Sequence, residues 1–244
     1  LIYLYIHESN RLLNKPTMIK FSLISLLMIF SLTSVYGQAE LQTVAEKSNF
    51  ESTSKYNDVL ACITQLKGLS KHIRVENIAQ TIEGKDIPML IIGNPLPMSP
   101  KDLVNDKRVV VYIQANIHAG EVEGKEAVLM YVRDLFKTKN PELLKDVILL
   151  VVPNFNADGN EKISTQNRTN QNGPINGVGV RYNGQMLDLN RDGMKVESPE
   201  IRGVITNIIN KWDPEVVMDC HTTNGSYHVE PTTFTWMMNP NGDR

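Results

Sequence analysis

This chain of 244 residues has few cysteines and no excess of positive charge. Its two cysteines, Cys62 and Cys220, are too few for a disulfide scaffold or for a zinc site built from four thiolates. With 25 basic and 27 acidic residues the net charge is −2, which excludes the broadly basic character of a nucleic-acid-binding protein. A metal site in this chain must therefore rely on histidine and carboxylate side chains. Hydrophobic residues make up 41% of the chain, which is enough for a folded core.

The N-terminal residues have the pattern of an export signal. Residues 1–17 precede the first methionine, and we expect them to be upstream translation. Residues 18–37 combine a lysine, a 15-residue apolar stretch and a final glycine, which predicts a cleavable signal peptide. Because 15 residues are few for a membrane span, we expect no stable span after cleavage and a secreted or periplasmic protein. Export would permit a disulfide between Cys62 and Cys220, and two free thiols are the alternative.

The remaining residues, 38–244, predict strands that alternate with helices. Strands are expected at 73–78, 80–82, 87–92, 108–115, 147–152 and 216–219, and helices at 57–70, 122–136 and 199–212. This alternation predicts an α/β fold with a central mixed, largely parallel sheet flanked by helices. The strands 108–115 and 147–152 are almost continuously apolar, as buried central strands are. Residues 164–184 are rich in Asn, Gln and Gly and predict a long loop, which favours a functional role.

Two predicted strands are followed by histidines. His118 comes directly after 108–115, with Glu121 three residues later, and His221 follows 216–219. Ligands of α/β sheets bind beyond the carboxyl ends of the strands, so both histidines would share one sheet edge if their strands are parallel neighbours. Two histidines and one glutamate leave the fourth position of tetrahedral zinc open for water, as in a catalytic site. Glu123 and Glu126 are the competing carboxylates.

A second set of polar residues occurs between these two histidines. Alternation along 187–190 predicts that Asp188 and Asn190 lie on one face and the two leucines on the other. Asn190 and Arg191 together offer donors suited to a carboxylate. Asp188 is suited to orienting a ligand histidine.

In order and spacing these elements resemble the M14 zinc carboxypeptidase family over residues 108–224. The elements are His118-x-x-Glu121, Asn156-Ala-Asp-Gly, Asp188-Leu-Asn-Arg191 and a strand that ends in His221. The resemblance implies a metallocarboxypeptidase with one Zn²⁺ held by His118, Glu121 and His221. It also implies that Asn190 and Arg191 grip the free C-terminal carboxylate of a peptide, and that Asp188 bonds the His118 ring.

Departures from the digestive members indicate a divergent, bacterial-type branch. The arginine that polarises the scissile carbonyl in those members falls on Gln171, which offers a hydrogen bond without charge. Arg168 matches a neighbouring family arginine and is expected to substitute for it. Gly120 stands where digestive members carry another arginine. The family's general-base glutamate lies well past the third ligand, and Glu230 does not match it, so we expect a C-terminally truncated, partial catalytic domain that is inactive alone.

Two other functions stay open at this point. One is a zinc-dependent amino-acid deacylase, a related branch that shares the His-x-x-Glu and Asn-Arg elements, although the export signal argues against it. The other is a non-catalytic domain that binds a carboxylate without chemistry. The expected partner is a peptide or a cell-wall stem with a free C-terminal carboxylate, and nucleic acid is not expected.

Overall fold

The computed structural model describes residues 41–137 and 141–222. Its strands are β1 (Ile73–Gln80), β2 (Asp86–Ile92), β3 (Val109–Ala115), β4 (Val147–Val152) and β5 (Val216–Cys220). Its α-helices are α1 (Val44–Lys47), α2 (Tyr56–Leu69), α3 (Glu123–Leu135), α4 (Ala157–Glu161), α5 (Pro199–Val204) and α6 (Asn210–Trp212). Short 3₁₀ turns occur at Pro100–Leu103, Glu142–Lys145 and Leu189–Arg191, and a π-helical turn, Ile205–Ile209, joins α5 to α6.

The strands form one mixed sheet in the order β1-β2-β4-β3-β5. β2 pairs antiparallel with both β1 and β4, whereas β3 pairs in parallel with β4 and with β5. The α/β fold with a mixed central sheet and flanking helices is therefore confirmed. Because β3 and β5 are parallel neighbours, with Ala115 opposite Cys220, the residues that follow them emerge at the same edge.

The central strands are buried on both faces, as their apolar runs predict. Ile148, Leu150 and Val152 of β4 share one core cluster with Ile208 and Trp212 of the last helical segment. The intervening residues of β4 are also buried and point to the other face, because side chains alternate along a strand. Helix α3 contacts β3, and α2 contacts both α3 and β1. The sheet is thus held rigidly between helices, which fixes its carboxyl edge.

Three details differ from the sequence predictions. The pieces expected at 73–78 and 80–82 are one strand, β1, whose register with β2 shifts between Asn77 and Ala79. This irregularity interrupts the apolar alternation that suggested a break. Ile82 lies instead in the hairpin turn, where Thr81 N donates to Lys85 O at 2.8 Å. The predicted helix 199–212 is present as a continuous helical segment, but its middle is the π-helical turn.

The expectations for residues 1–17, for the signal peptide at 18–37 and for Glu230 concern residues outside the described ranges. None of the helices between 41 and 137 or between 141 and 222 is long and apolar enough to cross a bilayer. Of the two alternatives for the cysteines, the structure has free thiols at both Cys62 and Cys220.

Candidate metal centre

The first two candidate ligands come from one tight turn after β3. Asn116 has a φ of 65°, a left-handed conformation that asparagine tolerates and that turns the chain away from the sheet. Its buried Nδ2 donates to Asn154 Oδ1 at 2.7 Å, which ties the turn to the segment after β4. Glu121 N then donates to His118 O at 2.9 Å. This local bonding brings the imidazole and the carboxylate together.

Gly120 is required in this turn because other atoms approach it closely. A Cβ at this position would lie 2.7 Å from Arg168 Cγ and 2.9 Å from Gly179 O. The missing side chain leaves room for Arg168, whose Nη2 contacts Glu121 Oε1. A side chain at position 120 and Arg168 in its present place therefore exclude each other. Glycine at position 120 is therefore what allows Arg168 to reach Glu121.

Glu121 lies between the two candidate histidines. Its Oε1 is 3.0 Å from His118 Nδ1, and its Oε2 is 2.8 Å from His221 Nδ1. One ligand atom from each of the three side chains lies within 4.8 Å of the other two. His118 and Glu121 are buried and His221 is exposed, so the group is open on one side. Two imidazole nitrogens and one carboxylate oxygen in this arrangement could hold a divalent metal such as zinc.

Each of these histidines is held on its far side by an aspartate. Asp188 Oδ1 lies 3.1 Å from His118 Nε2, and Asp219 Oδ2 lies 2.8 Å from His221 Nε2. An aspartate that accepts the Nε2 proton directs Nδ1 to the shared point, where this nitrogen can ligate a metal when the ring is neutral. Metal-ligating histidines commonly have such a carboxylate partner.

The charges of the group shift three pKa values. Burial alone would raise the pKa of Glu121, but hydrogen bonds with His118, His221 and the Thr222 amide outweigh it and hold that pKa well below its usual range. Hydrogen bonds to Asp219 and Glu121 raise the pKa of His221 to about 9. Burial opposes ionisation of Asp188 as well, yet its hydrogen bonds with Arg181 and His118 lower its pKa. Both carboxylates therefore stay ionised at neutral pH.

Three residues of the site were missed by the sequence reasoning. They are Arg181, Asp219 and Thr222. Arg181 Nε donates to Asp188 Oδ2 at 2.8 Å, and Thr222 N donates to Glu121 Oε2 at 3.1 Å. Asp219 had a usable signal, because it lies in β5 two residues before His221, and residues two apart in extended chain share a face. Arg181 had none, since nothing in its local sequence relates it to the histidines.

The Asp188–Arg191 segment reaches the site in a different conformation from the one predicted. It forms a 3₁₀ turn rather than an alternating strand, because the Asp188 side chain caps the turn by accepting from Asn190 N at 3.0 Å. Asn190 Nδ2 lies 3.4 Å from His221 Nε2, so this residue does border one of the candidate ligands. Arg191 is exposed, and its Nη1 donates to Asn190 O at 2.8 Å.

Arg168, which contacts Glu121, lines a cavity together with Gln171. The cavity measures about 240 Å³ and is also bordered by Gly120 and Glu123, which flank Glu121 in the chain. Arg168 Nε donates to Gln171 Oε1 at 2.8 Å. Gln171 thus orients the arginine through its carbonyl oxygen.

The competing carboxylates do not join the ligand atoms. Glu126 is bonded elsewhere: its Oε1 accepts from Thr53 Oγ1 at 2.8 Å and from Ser54 N at 2.6 Å, and its Oε2 accepts from Ser54 Oγ at 3.0 Å. Glu123 begins α3 and lines the cavity. The group of potential metal ligands in the described part of the chain contains Glu121 and neither of these two.

Comparison with protein-family models matches residues 59–225 to the zinc carboxypeptidase family M14. The chain belongs to this family. The match includes both histidines, Glu121 and the Asn190-Arg191 pair, and the resemblance inferred from the sequence is confirmed at the level of the family. Zinc dependence is a property of this family, and the site described above has a donor set that suits it.

Solved structures show the same fold. A metallo-carboxypeptidase from Burkholderia cenocepacia is 23% identical with a TM-score of 0.54, over 70% of this chain and 41% of that one. Carboxypeptidase A from Helicoverpa armigera is 20% identical with a TM-score of 0.53, over 71% and 47%. A metallo-carboxypeptidase from Pseudomonas aeruginosa, in complex with (2-guanidinoethylmercapto)succinic acid, is 19% identical with a TM-score of 0.53, over 70% and 40%.

These likenesses extend over part of each relative. The aligned region spans 40 to 47% of the length of those three structures. At such identities they establish the fold, and the family model establishes the membership. Comparison with curated protein sequences gives no match.

Proposed function

We propose that the protein is a zinc-dependent exopeptidase that hydrolyses the C-terminal peptide bond of its substrates. The observation that carries this proposal is the convergence of His118, Glu121 and His221 on one point, with ligand atoms within 4.8 Å. Membership of the zinc carboxypeptidase family supports it. One Zn²⁺ is the proposed cofactor, bound through His118 Nδ1, the Glu121 carboxylate and His221 Nδ1.

The protein's own residues prepare the site for this chemistry. Bound zinc would supply Lewis-acid polarisation of the peptide carbonyl and a more acidic water. Asp188 and Asp219 hold the Nε2 protons of the histidines and so keep both rings in the ligating tautomer and orientation. Glu121, kept ionised by its hydrogen bonds, offsets part of the metal's charge.

Substrate recognition is proposed for the donors around this centre. Asn190 and Arg191 would bind the terminal carboxylate, because an amide and a guanidinium can together satisfy both of its oxygens. Arg168, oriented by Gln171 at the cavity, would place positive charge near the scissile carbonyl. A peptide with a free C-terminus, including a cell-wall stem, fits this arrangement.

The metal part of the proposal is tested with His118→Ala, and His72→Ala is the matched control. His72 lies between α2 and β1, away from the site. The wild-type protein is expected to bind one zinc per chain and to release C-terminal amino acids, and both properties should be lost in His118→Ala but kept in His72→Ala. Full zinc content or full turnover in His118→Ala would contradict the assignment.

The substrate part is tested separately with Arg191→Ala. This change is expected to raise KM for peptides with a free C-terminus by about tenfold or more, since a charged hydrogen bond contributes about 1.5–3 kcal/mol. Zinc content should not change, and Lys195→Ala, a nearby exposed cation, should leave KM unchanged. C-terminally amidated peptides should be poor substrates of the wild type. Faster turnover of N-acyl amino acids than of peptides would instead identify a deacylase.

A further inference from the structure

We propose that Arg181 is a positioning residue for the metal centre: it fixes the Asp188 carboxylate, which in turn fixes the His118 ring. The inference rests on the proposed function, because it takes His118 as a metal ligand. It assigns a role to a residue outside the His-x-x-Glu and Asn-Arg elements.

Asp188 has three partners that divide its two oxygens. Oδ1 accepts from Asn190 N at 3.0 Å and lies 3.1 Å from His118 Nε2. Oδ2 accepts from Arg181 Nε at 2.8 Å. The terminal torsion of an aspartate is broad, so one oxygen alone does not fix the carboxylate plane. The arginine on the second oxygen sets that plane and so aims Oδ1 at the imidazole.

The backbone around Arg181 is itself hydrogen-bonded to residues of the site. Its carbonyl oxygen accepts from Asn156 Nδ2 at 3.1 Å, and the neighbouring Val180 O accepts from Ala119 N at 3.1 Å. Ala119 follows His118 directly in the metal-binding turn. The same segment therefore bonds both to the backbone of the ligand turn and, through Asp188, to the ligand's ring. Because both the backbone beside His118 and the partner of its ring are bonded to this segment, the ring has little freedom to rotate.

The guanidinium has a second, opposing effect. Its Nη1 lies 3.5 Å from His118 Nδ1, close to where a metal would sit, and positive charge there repels a divalent cation. Asp188 offsets part of this charge. A test must therefore separate positioning, which acts through Asp188, from repulsion, which does not. Arg181→Lys does this because lysine keeps the charge but has no counterpart of the Nε–H group that donates to Asp188 Oδ2.

The experiment measures the zinc dissociation constant by competition with a chromophoric chelator. The variants are Arg181→Lys, Asp188→Asn and the double variant, with Arg202→Lys as the matched control. Among the hydrogen bonds of the described structure, the Arg202 guanidinium donates only to the carbonyls of Val196 and Glu197. Arg181→Lys is expected to weaken zinc binding by about tenfold, the lower end of the range for outer partners of a ligand. In the Asp188→Asn background the same change should cost less than about twofold, because the residue through which it acts is already lost.

Two results would overturn the proposal. One is a zinc dissociation constant for Arg181→Lys within twofold of the wild type. The other is the same tenfold loss in the Asp188→Asn background, which would mean that Arg181 acts without Asp188. If the wild type itself binds no zinc, the proposed function fails, and this outcome is seen before any variant is compared.

A second measurement tests the proposal without bound metal and with two different substitutions of Arg181. The imidazole ¹⁵N shifts of His118 in the metal-free protein report which ring nitrogen carries the proton. Arg181→Lys and Arg181→Gln are both expected to raise the population of the Nδ1–H tautomer, since Asp188 then holds Nε2–H less firmly. Shifts equal to those of the wild type in either folded variant would contradict the role of Arg181.

Discussion

Two clusters of polar side chains differ in what they can bind, although Glu121 of one cluster and Lys125 of the other are only four residues apart in the chain. The ligand cluster consists of His118, Glu121 and His221. The Lys125 cluster consists of Thr53, Ser54, Lys125, Glu126 and Asn160. Glu121 and Glu126 are both 4% exposed, so burial does not distinguish the two carboxylates. Their partners do: Glu121 faces imidazole nitrogens that can ligate a metal, whereas Glu126 accepts from hydroxyls and an amide.

The two clusters also balance their charge differently. Lys125 brings its own cation: its ammonium is fully buried, donates to Ser54 O and to Asn160 Oδ1, and lies 3.9 Å from Glu126. Burial lowers the pKa of Lys125 to about 8, and the nearby carboxylates oppose that shift. Around the ligand cluster, Glu121, Asp188 and Asp219 are three carboxylates that face only two guanidiniums, those of Arg168 and Arg181, and this excess of negative charge favours an added cation. The Lys125 cluster is complete as a structural unit, and the ligand cluster is suited to receive a metal.

The largest expected effect is on the Lys125 cluster. Lys125→Met keeps the length of the side chain but leaves Glu126 buried without its cation. We expect the free energy of unfolding to fall by about 3–5 kcal/mol, the cost of removing one member of a buried ion pair. Chemical denaturation at pH 7 measures this, with Lys101→Met, an exposed lysine, as the control. Zinc affinity of the folded variant should not change, and a loss of stability no greater than in the control would show that the ammonium is not structural.

The next effect concerns the two glutamates directly. Glu121→Gln is expected to weaken zinc binding by about a hundredfold or more, because each ligand contributes roughly 3 kcal/mol of a binding free energy on the order of 10 kcal/mol. Glu126→Gln should instead lower the free energy of unfolding by about 1–3 kcal/mol and leave zinc affinity unchanged. Calorimetric zinc titration and denaturation of both variants give the comparison. Equal zinc affinities in the two variants would remove the distinction between the clusters.

Much of the ligand cluster could be predicted from sequence because its positions follow from strand ends. The apolar runs that form β3 and β4 are read directly from composition, and the histidines after β3 and β5 then share an edge. The choice among Glu121, Glu123 and Glu126 rested on the family spacing. The structure shows a physical reason for excluding Glu126, whose partners Thr53 and Ser54 lie more than 70 residues away in the chain.

Other parts could not be predicted because local bonding or distant folding decides them. The Asp188–Asn190 alternation resembled a strand, but the Asp188 side chain caps a 3₁₀ turn and local capping outweighs the pattern. Arg181 meets Asp188 only because the intervening chain folds back, with Asn183 N donating to Leu187 O at 3.0 Å. No periodicity marks such a return. The shift within β1 was likewise hidden, since a one-residue irregularity looks like the end of a strand.

The smallest effect is the dependence of metal-free stability on pH. The pKa of His221 is raised to about 9 by Asp219 and Glu121, above the ordinary value of 6.5, so the folded protein binds more protons than the unfolded chain between these values. Its contribution to stability is fully present below pH 6.5 and is lost as the pH rises through 9. Lys125 has the opposite sign: its folded pKa of about 8 lies below 10.5, so stability rises with pH in that window.

We therefore expect the destabilisation caused by His221→Ala in the metal-free protein to shrink between pH 6.5 and 9. The decrease should be about 1 kcal/mol, because the half-exposed imidazole is partly screened by solvent. The destabilisation caused by Lys125→Met should instead grow between pH 8 and 10.5, because the wild type becomes more stable as it loses its buried positive charge. Unfolding free energies measured across pH 6–10.5 with a chelator present test both slopes. Parallel slopes for the two variants would mean that the clusters do not differ in how they hold charge. Opposite slopes are required because hydrogen bonds to carboxylates raise the pKa of His221, whereas burial lowers the pKa of Lys125.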